Sequence, residues 1–80
     1  MVMIELVLAD VRQFLELQLA AARRTHRSVA ESTAKIVDEL RDLGLDWGFV
    51  PLEPKFEPGF RRASVVIAFN DYITEETITV

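Results

Sequence analysis

Cysteine is absent from this chain, which excludes disulfides and thiolate metal sites. Histidine occurs once, as His26, so an imidazole-based metal site would have to draw its other ligands from carboxylates. No P-loop, G-x-G-x-x-G or G-x-S-x-G motif is present. No apolar run approaches the ~20 residues that span a bilayer. The N-terminus has no basic segment, and Glu5 and Asp10 interrupt what could serve as a signal-peptide core. These absences lead us to expect a cytoplasmic protein with no membrane association, no cofactor, no metal and no catalytic activity.

What is present is a surplus of apolar residues. Half of the 80 residues are hydrophobic, and the mean hydropathy is slightly positive. A chain of this size forms one domain, residues 1–80, and hides only ~60% of the surface that its unfolded form exposes. Small domains usually gain stability from disulfides or a structural metal. With neither expected, association is the remaining route, and the chain is expected to form a homodimer. The formal net charge of −4 argues against broad nucleic-acid binding, which depends on neutralising phosphates.

The clearest element runs from Ser28 to Gly44. Ser28 and Glu31 have the spacing of a capping box. Val29, Thr33, Ile36, Val37, Leu40 and Leu43 form an apolar stripe, while Glu31, Lys35, Asp38, Glu39, Arg41 and Asp42 fill the opposite face. Gly44 stands where a left-handed cap would close the helix. Upstream, residues 1–8 fit a strand, with Asp10 as the N-cap of a helix after it, but Ile4, Val7, Leu8, Val11, Phe14, Leu15, Leu19 and Ala22 make a longer helical stripe, so a helix beginning between Met3 and Asp10 is favoured. Between Ala22 and Ser28 no glycine or proline forces a break. Residues 3–43 therefore fit either a helical hairpin or one long helix, since the stripe passes through Ala22, His26 and Ala30 in phase.

Residues 45–60 contain all three prolines and the other two glycines, which predicts a connection with no helix in it. Pro51 and Pro54 suggest extended or edge-strand backbone, and Pro58-Gly59 suggests a type II turn. Residues 61–80 read as a β-hairpin. Ala63, Val65, Ile67 and Phe69 share one face, and Tyr72 to Val80 form the return strand. A two-residue turn at Asn70-Asp71 would set Glu76 on the apolar face beside Val65, so a longer loop is expected. The pattern is α+β: an N-terminal long helix or helical hairpin packed on a small antiparallel sheet.

Two groups of residues are candidates for contacts. Trp47, Phe49, Phe56 and Phe60 lie in the proline-rich connection and could project into an interface, where aromatic side chains are enriched; core packing is the alternative. Arg23, Arg24 and Arg27, joined by Arg61 and Arg62, could hold an anion or an acidic partner; a solvated, charge-balanced segment is the alternative. His26 belongs to this basic segment and has no spacing that marks it as catalytic. The thirteen carboxylates are explained by solvated helix faces and the hairpin.

The function expected is a non-catalytic protein–protein interaction or regulatory module. A second reading is a winged helix-turn-helix DNA-binding protein, with residues 28–43 as recognition helix and 51–69 as wing. Asp38, Glu39 and Asp42 would then face phosphates, which weighs against it. A third reading is an antitoxin or immunity protein, acidic because its target is basic.

Overall fold

The computed structural model describes residues 2–25 and 28–80, side chains at 2, 3 and 29 excepted. Helix α1 spans Val2–Thr25 and helix α2 spans Val29–Trp47. Strands β1 (Val50–Phe56), β2 (Arg62–Phe69) and β3 (Tyr72–Thr79) follow and pair in that order as an antiparallel meander. Both helices lie on one face of the sheet, α1 over β3 and β2, α2 over β1. The chain is thus α+β, with a helical hairpin and a small sheet.

The N-terminal stretch is helical from Val2, so the strand alternative for it fails; the apolar spacing of four explains why. Val7, Val11, Leu15, Leu19 and Ala22 are the buried stripe of α1, and its 24 residues reach ~36 Å. The two helices are separate. Ser28 has extended backbone (φ −67°, ψ 154°), and its Oγ accepts a hydrogen bond from the Glu31 N–H at 3.2 Å. The cap residue takes the chain out of helical geometry, and Ala30, in phase with Ala22 by sequence, is exposed.

The end of α2 differs from expectation. The helix continues past Gly44 to Trp47, and Gly48 is the left-handed cap at φ 81°. Leu45, Asp46 and Trp47 contain no helix breaker, so the first residue that must leave helical geometry is Gly48. The N–H groups of Gly48 and Phe49 both donate to the Gly44 carbonyl, at 2.8 and 3.0 Å. Phe49 then folds back and buries its ring, the hydrophobic contact that accompanies such caps. Gly44 has a different role, allowing close approach. A Cβ there would run into the carbonyl oxygen of Phe49.

β1 is an edge strand carrying Pro51 and Pro54, with a register shift between Leu52 and Lys55 and a positive φ of 46° at Glu53. Proline is tolerated on an edge because nothing there needs its N–H. The β1–β2 loop contains the expected turn: Gly59 has φ 86°, and the Phe60 N–H donates to the Glu57 carbonyl at 3.0 Å.

The β2–β3 connection overturns the longer loop that was expected. Phe69 pairs directly with Tyr72, leaving the two-residue turn Asn70-Asp71, and Val65 pairs with Glu76. Glu76 does sit on the helix-facing side, where its side chain is 14% exposed, and Arg12 of α1 meets it at 3.4 Å. A shift of one residue would have sent Ile78 out of the core and Ile73 in. The observed register buries Ile78 opposite Ala63, and a cation 64 residues away in sequence answers the misplaced carboxylate.

Candidate functional site

The sheet has one covered face and one open face, and strand alternation assigns each side chain to one or the other. Ala63, Val65 and Ile67 of β2 point to the helices and are buried. Val66, Ala68 and Ser64 therefore point away, and the registers of β1 and β3 extend them into rows. One row is Val50–Ala68–Ile73, the next Leu52–Val66–Glu75, the next Lys55–Ser64–Thr77. The first two rows are apolar but for Glu75. Val50 is 56% exposed, Leu52 41% and Ile73 69%, with Val66 and Ala68 half-buried between them. The result is a contiguous apolar patch across all three strands, bordered by Lys55 and Glu75.

Other exposed apolar residues are scattered. Leu6 and Leu17 lie on the outer side of α1 and Leu45 on the outer side of α2. Single exposed leucines are ordinary on a soluble surface; a contiguous patch is not.

The aromatic candidates lie elsewhere. Phe49, Phe56 and Phe60 are buried in the core of this chain, and Trp47 is half-buried against it. The apolar area of the three phenylalanines is consumed by intramolecular packing, while Trp47 keeps part of its surface exposed. Phe69 extends the cluster, meeting Phe49 edge-to-face at 6.2 Å and Tyr72 at 6.0 Å.

The end of α1 that carries Arg23 and Arg24 is brought to the β1–β2 loop, next to Arg61 and Arg62 in the chain. Arg23 is half-buried, and its Nη1 donates to the Phe60 carbonyl at 2.7 Å. That bond fastens the end of α1 to the β1–β2 loop, where Phe60 holds a positive φ of 54°. Arg24, Arg61 and Arg62 are exposed, and Arg62 lies 3.9 Å from Glu57. Arg27, like His26, lies outside the described residues. Among the described residues, the most enclosed of these guanidinium groups, that of Arg23, thus has a structural partner already.

A small cleft between the helices is lined by Gln18, Ala21, Ala22, Ser32 and Ile36. It has room for about one water molecule, beside the Ser32 hydroxyl, which has no hydrogen-bond partner among the described residues. Gln18 bridges to Glu39 at 3.0 Å at its edge. The cleft is too small for a substrate. Among the described residues no group of three or more His, Asp or Glu side chains is placed to hold a metal ion, and no helix there is long and apolar enough to cross a membrane.

Sequence reading missed the residues that make the patch. Val66 and Ala68 were legible as the reverse face of β2. Ile73 was not, because the longer loop expected before it leaves its side undetermined. No protein-family model, curated protein or solved structure matches this chain.

Proposed function

We propose that the chain is a small, non-catalytic interaction module whose working surface is the open face of its sheet. The observation that carries this reading is the contiguous exposure of Val50, Leu52 and Ile73 around Val66 and Ala68. Apolar surface of this kind on a folded domain is removed from water at ~25 cal/mol per Å² when a partner covers it, and such patches mark interaction sites. The two edges of the sheet are poor docking sites by comparison. β1 carries two prolines and a bulge, and β3 carries an inward-pointing charge at Glu76, devices that discourage strand addition. The acidic outer face of α2, with Asp38 and Asp42 exposed, supports a protein partner over DNA.

The test is site-specific photo-crosslinking in cells, with the probe at Leu52 on the open face and at Leu45 on the outer side of α2 as control. Discrete protein adducts, of the chain itself or of another, are expected from position 52 and not from 45. Equal labelling from both positions, or none from 52, would contradict the reading.

A further inference from the structure

We infer that the occupant of the open face is a second copy of this chain, stacked face to face about a twofold axis running along β2; the inference rests on the reading just given. Such an axis lays β1 of one copy over β3 of its partner, with the sheets ~10 Å apart. The open face is complementary to itself in this arrangement. Its exposed apolar residues lie on both outer strands, so Val50 meets Ile73 of the second copy and Ala68 and Val66 meet their own equivalents near the axis, while Leu52 lies over the second copy's Glu75, whose carboxylate reaches along the strand to Lys55. Its charges are segregated in the same way. Lys55 is on β1 and Glu75 on β3, one row apart along the strands, so each Lys55 comes within reach of the partner copy's Glu75, twice per dimer. An axis across the strands would instead lay each outer strand over its own equivalent, so that Lys55 and the second copy's Glu75 would stay on opposite sides of the sheet. Arg62, at the far end of β2, is answered within its own chain by Glu57 at 3.9 Å.

Within one chain Lys55 and Glu75 stand on strands separated by β2, so charge reversal discriminates between intramolecular and intermolecular pairing. The experiment is sedimentation equilibrium of the full chain, as wild type, Lys55→Glu, Glu75→Lys and the double reversal, with circular dichroism confirming each fold. The wild type is expected to dimerise. Each single reversal should weaken dimerisation roughly tenfold, since symmetry duplicates the change from attraction to repulsion. The double reversal should restore the wild-type constant to within about twofold. A double variant no tighter than the weaker single one would overturn the arrangement. A wild type that stays monomeric up to about 500 µM, a concentration that would populate even weak dimers, would overturn self-pairing altogether. Crosslinking from Leu52 then decides separately whether the open face docks some other protein or none.

Discussion

A carboxylate on the packed side of a sheet is unfavourable unless something answers it, and Glu76 is answered by Arg12 across 3.4 Å. The arginine is more than half exposed, so the pair adds little stability by itself. Its effect is to make the two-residue turn tolerable and to place a charge on the inner side of an edge strand, which discourages strand addition. Glu76→Val should raise the urea midpoint, with a stability gain of about 0.5–1 kcal/mol from the better strand residue, and should make the protein more prone to aggregate. A loss of more than about 1 kcal/mol would mean the pair holds the fold more strongly than surface pairs do. The sequence showed that a two-residue turn would place Glu76 on the apolar face, but not that Arg12 would answer it. Arg12 and Glu76 stand 64 residues apart, and local patterning sees only a charge where an apolar residue fits better.

At the scale of elements, what could be read was what depends on neighbours in the chain. The Ser28 cap, the buried stripe of α2 and the helix-facing side of β2 all follow from spacing over a few residues. The separation of α1 from α2 was ambiguous because the stripe through Ala22 and Ala30 keeps its phase while the cap interrupts the backbone. The end of α2 was misplaced because two glycines, four residues apart, compete for one cap. Gly48 takes the left-handed conformation, and Gly44 lets the Phe49 carbonyl lie against the helix. Mid-helix Gly→Ala changes usually stabilise by up to about 1 kcal/mol. Here Gly44→Ala should destabilise by about 1–3 kcal/mol in urea unfolding, because the new methyl meets backbone that no rotamer change can move. A stabilised variant would show that the close approach is absent.

For the whole molecule, the surplus of apolar residues leaves an exposed patch on one face of the sheet. Of the aromatic residues near the proline-rich stretch, which fitted either an interface or the core, Phe49, Phe56 and Phe60 are buried in the core and Trp47 packs against it. The exposed surplus is aliphatic and lies on the opposite side of the sheet, where Val50, Leu52 and Ile73 remain uncovered. Locating it required the register of all three strands, and that register depends on the turn at Asn70-Asp71 and the bulge in β1. The account stands or falls on whether this face is a place of association. The direct measurement is sedimentation equilibrium of the wild type beside Ile73→Lys, a change at a position 69% exposed that leaves the core intact. The account predicts concentration-dependent dimers for the wild type and monomers for the variant, with identical circular dichroism. Two monomeric proteins, or two that associate equally well, would contradict self-association through this face.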